Sequence, residues 1–243
     1  KVRKHSVVNP HDYAYRINPT DACRNRLVEL LLCVTVAADE FDARHRFRDI
    51  VRDEYSMFWH PDVQIVFLFF VGVSASRDAE AVHQRIQMEA KMYGDIVQSE
   101  IVDSEKNLSL KTMSVIKWVT NYCLAASYVL KSADDCVIDM ASVLAELNKV
   151  SVDQSLFMLG KLATKKMIEA NEKNEAAAIH YALYKVQEYP SYLYGSANAY
   201  PIAVAKLLYE AALRFPIFFL EDVFYSGICA NFVSVPRLDS GAF

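Results

Sequence analysis

Two adjacent pairs of acids are the side chains of this sequence best placed to do chemistry. Asp134 and Asp135 close an apolar stretch that runs through Tyr128-Val129-Leu130 and Lys131-Ser132-Ala133. Neighbouring carboxylates at a strand end offer hard oxygen ligands to a divalent cation, which can in turn bridge a diphosphate. Taken alone, the segment also reads as a surface turn with two solvated acids. Glu221 and Asp222 follow Pro216-Ile217-Phe218-Phe219-Leu220 and precede a second apolar run. A carboxyl drawn into apolar surroundings loses hydration, its pKa rises, and it becomes suited to general-base work. Acids there also suit a helix N-terminus, and the two readings are compatible. A third segment, Tyr189-Pro190-Ser191-Tyr192-Leu193-Tyr194-Gly195-Ser196, combines aromatic rings that can stack on sugar faces with a glycine that permits close backbone approach. It also reads as a Pro-Gly loop carrying core tyrosines.

The elements that must position these groups follow from hydrophobic pattern. Continuous apolar runs at 27–37 and 63–73 predict strands buried on both faces. Spacing of three and four residues predicts helices at 41–55, 79–93, 110–125, 140–149 and 202–214, with Gly94 capping the second. Shorter strands are expected at 95–102, 128–130 and 155–162, and the charged stretch 161–188 reads as helical. Residues 1–26, rich in turn formers, read as an irregular lead-in, the end of a stem, to one domain spanning 27–243. Strands alternating with helices predict an α/β sandwich with a mostly parallel central sheet. Ligands of such sheets bind beyond the carboxyl ends of the strands, where Asp134 and Asp135 fall.

Composition narrows the class. A chain of 243 residues that is 53% hydrophobic supports one domain with a substantial core. The net charge of −4, with no basic stripe, argues against a nucleic-acid partner. The longest apolar run falls short of the roughly 20 residues that a membrane-spanning helix needs. The first residue is Lys1 rather than Met, which leaves open a leader, anchor or stem upstream. Five cysteines lack zinc-ligand spacing and allow at most two internal disulfides; Cys23 in the lead-in and Cys123 in a helix are candidate partners. Asn107-Leu108-Ser109 is an N-glycosylation sequon, which hints at a secretory compartment. The six histidines are scattered without ligand spacing.

Several motifs in register resemble the β1,3-galactosyltransferase and β1,3-N-acetylglucosaminyltransferase family of the Golgi, which is glycosyltransferase family 31. They are Asn9-Pro10-His11; Arg48-Asp49-Ile50-Val51-Arg52; Val66-Phe67-Leu68-Phe69-Phe70-Val71-Gly72; Glu89 with Tyr93-Gly94-Asp95-Ile96; Asp103-Ser104 with Asn107-Leu108-Ser109-Leu110-Lys111-Thr112; Cys123 before Lys131; and Glu221-Asp222-Val223 with Gly227 and Cys229. The resemblance implies a nucleotide-sugar-binding α/β fold of the GT-A type and a UDP-galactose or UDP-N-acetylglucosamine donor. It further implies Mn²⁺ on the diphosphate, a glycan acceptor on protein or lipid, and inverting transfer. Carried over residue by residue, it makes Asp135 the metal ligand, places Asp134 along the donor site, and makes Asp222 the base. Arg48, Arg52, Asp103 and Lys111 would shape or support the nucleotide pocket. Localisation in the Golgi lumen, as part of a type II membrane protein, follows from the same resemblance.

The sequence also departs from the family. Ala133 stands where the first of three consecutive acids is usual, and Ser196-Ala197-Asn198 alters a glycine-rich loop. The chain ends at Phe243, before the region where the family commonly supplies a histidine to the metal, which reads either as a domain truncated at its C-terminus or as a degenerate member. These departures support an alternative, a catalytically degenerate member that binds or scaffolds glycans. A hydrolase built on paired carboxylates has no supporting motif.

Overall fold

The structure is a computed structural model describing residues 7–58, 64–136, 138–163 and 189–243. It centres on an eight-stranded sheet of order β1-β4-β3-β2-β5-β7-β6-β8. The strands are β1 (Tyr15–Ile17), β2 (Val28–Thr35), β3 (Gln64–Val73), β4 (Ile96–Val102), β5 (Tyr128–Ala133), β6 (Met158–Ala163), β7 (Tyr192–Pro201) and β8 (Arg237–Asp239). The four central neighbours β4, β3, β2 and β5 are parallel, as is the β6–β8 pair. Strand β7 runs antiparallel to both β5 and β6, and β1 antiparallel to β4. The expected α/β sandwich with a mostly parallel sheet is therefore observed.

Alternation along β2 explains the two layers. Successive side chains of a strand point to opposite faces. Leu30, Leu32 and Val34 enter one core with Phe47, Phe69, Val71, Ile86, Val143 and Leu147. That core is closed by helices α1 (Phe41–Phe58), α2 (Ala79–Tyr93) and α4 (Met140–Ser151). Leu31 and Cys33 enter the other with Leu68, Phe70, Trp118, Val204, Leu208 and Phe224. Its helices are α3 (Leu108–Tyr122), α5 (Ile202–Ala212) and a C-terminal segment, π-wound over Val223–Cys229 and α-helical over Ala230–Phe232. Because both faces are covered, both side-chain sets of β2 are apolar from Leu30 to Val34, which is why that stretch reads as an unbroken hydrophobic run. Gly94 caps α2 with a left-handed φ of 69°, as expected of a residue without a Cβ penalty.

Three expectations need correction. The lead-in is not wholly irregular: it contributes β1 to the sheet edge and is docked along α3. Cys23 is disulfide-bonded to Cys123, Trp118 Nε1 donates to Asn18 Oδ1 (2.8 Å), and Lys117 Nζ donates to the carbonyls of His11 (3.0 Å) and Tyr13 (2.8 Å). Segment 189–196 is not simply a loop, since β7 begins at Tyr192 and pairs through Ser132↔Ala197 and Leu130↔Ala199. Strand pairing there overrides the local turn signals of Gly195, Ser196 and Asn198. Of the charged stretch read as helical, residues 161–163 extend β6, and 164–188 lie outside the described residues. No helix among the described residues is long and apolar enough to cross a membrane.

Candidate active site

The carboxyl ends of the parallel strands are tied together by one buried ion pair. Asp103, just past β4, accepts from Lys111 Nζ of α3 (2.6 Å) through Oδ1, and from the amides of Ala38 (2.8 Å) and Gly72 (3.1 Å) through Oδ2. Lys111 Nζ also donates to the Val36 carbonyl (2.6 Å). One carboxylate and one ammonium thus fix the ends of β2, β3 and β4 against α3. Any Cβ at position 72 would run into the Ile101 carbonyl and the Asp103 carboxylate, which accounts for the glycine. Burial pushes the Lys111 pKa down, and the charges of Asp103 and Asp134 oppose that shift. Asp134 therefore shares the electrostatic neighbourhood of the Asp103–Lys111 pair.

Asp134 and Asp135 occupy the turn after β5. With Cys136, Leu32, Phe47, Ile50, Val51, Ile138 and Met140 they line a small cavity of about 80 Å³ on the side of α1 and α4. Asp134 is half-buried and Asp135 exposed. Among the described residues no group of three or more His, Cys, Asp or Glu could hold a metal ion alone. Two free oxygen donors nevertheless fit a hard cation whose remaining ligands come from water and a substrate diphosphate.

The second pair of acids borders the larger cavity, a cleft of about 740 Å³ lined by Glu105, Lys106, Leu108, Gly195, Phe219, Leu220, Glu221 and Asp222. Asp222 caps the C-terminal helical segment, accepting the Val223 amide on Oδ1 (2.8 Å). The helix-start reading thus holds together with the desolvated-acid reading. Burial raises the Asp222 pKa above the usual aspartate range; the Val223 amide opposes this, Glu221 adds to it, and Lys131 opposes it. Glu221 Oε1 is bound by the Lys131 ammonium (2.9 Å) and by Thr112 Oγ1 (2.8 Å). Lys131 Nζ also donates to the Gly195 carbonyl (3.1 Å). The β5–β7 register carries Gly195 to the same end of the sheet as Asp134. Both pairs of acids therefore stand at one edge of the sheet, in separate cavities.

The arginines lie elsewhere. Arg48 makes a two-pronged contact with Asp95 (2.7 and 2.9 Å), pairs with Glu89 (2.7 Å), and stacks over the Tyr93 and Phe69 rings. Burial works against its charge, and Asp95 and Glu89 more than restore it. Arg52 is exposed and pairs with Asp49 one turn earlier on α1. Arg44, which the motif reading passed over, is fully buried; it binds Glu89 (2.7 Å) and the carbonyls of Ala37 (3.0 Å) and Ala38 (3.3 Å). Its four-residue spacing from Arg48, on one helix face, was the available signal. Lys131, named in the resemblance but given no site role, had a signal of its own, a lone charge inside an apolar strand. Among the tyrosines of the third segment, Tyr189 and Tyr192 are core residues and Tyr194 is exposed. The sequon is engaged within the fold: Asn107 Nδ2 donates to the Val102 carbonyl (2.9 Å), and Ser109 Oγ donates to the buried Phe218 carbonyl.

Parallel strands covered on both faces, with paired acids and a cleft at their carboxyl edge, define an α/β protein of the open-sheet class, whose ligands bind beyond that edge. The galactosyltransferase family model matches residues 44–240, and the chain belongs to this family. It is 27% identical over 239 residues to human β-1,3-galactosyltransferase 1, covering 97% of this chain and 70% of that protein. It is 29% identical over 240 residues to human lactosylceramide 1,3-N-acetyl-β-D-glucosaminyltransferase, covering 97% of this chain and 62% of that protein. A solved mannosyltransferase from Pyrobaculum calidifontis, in complex with GDP-Man and Mn²⁺, matches 79% of this chain and 48% of its own at 13% identity, with a TM-score of 0.35.

Proposed function

We propose that this protein is an inverting glycosyltransferase that moves galactose or N-acetylglucosamine from a UDP-sugar to a glycan acceptor in a β1,3 linkage. The observation that carries the reading is Asp222. Its carboxyl lines the large cleft, its Oδ1 is fixed by the Val223 amide, and burial raises its proton affinity. The second oxygen is left to take a proton from an acceptor hydroxyl as that oxygen attacks the anomeric carbon and the bond to the diphosphate breaks. One displacement needs no enzyme nucleophile, so a single positioned base suffices. Apolar surface from Leu108, Phe219 and Leu220 in the same cleft suits the apolar face of a sugar ring.

Asp135 is the proposed metal ligand, and Asp134 lines the donor site. A bound Mn²⁺ would neutralise charge developing on the departing diphosphate. Asp103 and Lys111 hold the strand ends that border the donor site, while Arg48 ties α1 to Glu89 and Asp95 away from that edge and Arg52 pairs within α1. The Cys23–Cys123 disulfide fits an oxidising compartment, in keeping with a Golgi-lumen location and a membrane anchor outside this chain. With Asp135 and Asp222 both at the strand edge, the non-catalytic alternative is not favoured.

The test is transfer from UDP-galactose and UDP-N-acetylglucosamine to β-linked glycan acceptors, in wild type and Asp222→Asn. The variant should keep UDP binding and lose transfer by about 100-fold or more. A base must be deprotonated to act, so the wild-type rate should fall with acidity through a pKa above that of an ordinary aspartate. Undiminished transfer by Asp222→Asn would refute the assignment.

A further inference from the structure

A buried lysine meets a carboxylate directly beside Asp222, and four elements contribute to the junction. Lys131 comes from the middle of β5 and is almost wholly buried. Its ammonium is held between Glu221 Oε1 (2.9 Å) and the Gly195 carbonyl of β7 (3.1 Å). Thr112 of α3 donates to the same Glu221 oxygen (2.8 Å). The other Glu221 oxygen lies 2.5 Å from where a Cβ on Gly195 would stand, so it fills the space that a side chain there would need. The Glu221 carboxylate is therefore fixed from three sides. It immediately precedes Asp222, so it also fixes the backbone from which Asp222 projects.

Burying a lysine is costly unless the charge is paired and hydrogen-bonded, as it is here. A lysine placed only for packing could be replaced by an apolar residue of similar volume at little cost. We propose that Lys131 and Glu221 are a positioning pair that holds Asp222 at the cleft and sets the charge it experiences. This rests on the glycosyl-transfer reading above. The groups facing Asp222 are Lys131 from β5, Tyr192 from β7 and Glu221 from its own segment. Glu105 and Lys106 line the same cleft. Two of these act in opposite senses: the Lys131 cation favours ionised Asp222, and the Glu221 anion disfavours it.

The pair predicts shifts of opposite sign. The Asp222 carboxyl can be followed by carbon-detected NMR titration and assigned through its loss in Asp222→Asn. In Lys131→Met its midpoint should rise by about one pH unit, and in Glu221→Gln it should fall by a similar amount. The acid limb of kcat should move with it, while the KM for the UDP-sugar stays within about twofold. A packing role alone would leave the titration unmoved or shift both variants the same way, and either result overturns the proposal. If Lys131→Met does not fold, Glu221→Gln, which is isosteric, decides by itself: a downward shift supports the pair, and no shift or an upward shift overturns it. Opposite shifts in a protein that transfers no sugar would leave the electrostatic pairing standing and overturn both the transfer reading and the pair's part in it.

Discussion

A side chain at position 195 would have to displace the Glu221 carboxylate. A Cβ there would stand 2.5 Å from Glu221 Oε2 and 3.7 Å from the Asp222 Cβ. Gly195→Ala should therefore displace the Glu221 carboxylate and, with it, Asp222. The φ at 195 is not in the left-handed region, so the glycine is required by close approach and not by backbone strain. We expect kcat to drop by about tenfold or more while UDP affinity is retained, because the Asp103–Lys111 pair is untouched; a loss of this size corresponds to about 1.4 kcal/mol in the barrier. Steady-state kinetics beside a UDP titration would check it. The acids themselves were visible in the sequence because each pair is contiguous. Lys131 was not linked to Glu221, because their meeting is created by β5 packing under the C-terminal segment and leaves no local trace.

Among the elements, α1 and α2 are joined by charge as much as by apolar contact. Arg44 and Arg48 of α1 converge on Glu89 of α2, and Arg44 also grips the loop after β2. Burial alone would raise the Glu89 pKa, but the arginines more than offset it, and the net position is below the ordinary glutamate range. A carboxylate depressed on folding contributes stability that is present above its unfolded pKa and is lost as pH falls through the folded one. Arg44→Ala would leave Glu89 paired with Arg48 and release the Ala37 and Ala38 carbonyls, costing about 1–3 kcal/mol. Urea unfolding at neutral pH measures that loss, and the difference from wild type should narrow as Glu89 protonates. Strands β2 and β3 were legible because burial on both faces makes Leu30–Val34 and Ile65–Val71 continuous apolar runs. Strand β7 was not, because its Gly, Ser, Asn and Pro are accommodated by pairing with β5 and β6, partners that lie far away in the chain. Strand β1 is three residues long and exists only as an edge on β4.

Across the whole molecule, the sheet separates two cores and brings every proposed site residue except Arg48 and Arg52 to its carboxyl edge. The lead-in is part of this body: the Cys23–Cys123 disulfide fastens it to α3, whose other end supplies Lys111 and Thr112 to that edge. In the proposed donor site, Asp134 and Asp135 have no third His, Cys, Asp or Glu grouped with them among the described residues, so the remaining ligands of a cation there would come from water and the diphosphate. Cation and nucleotide should consequently bind together, each weakly without the other. The decisive experiment is calorimetric titration of UDP into the protein with Mn²⁺ present, repeated with a chelator and with Asp135→Ala. Binding in Mn²⁺ that disappears in both the other conditions is the expected result. No binding even with Mn²⁺, or equal binding with the chelator or the variant, would contradict a metal-bridged nucleotide-sugar site at the end of β5.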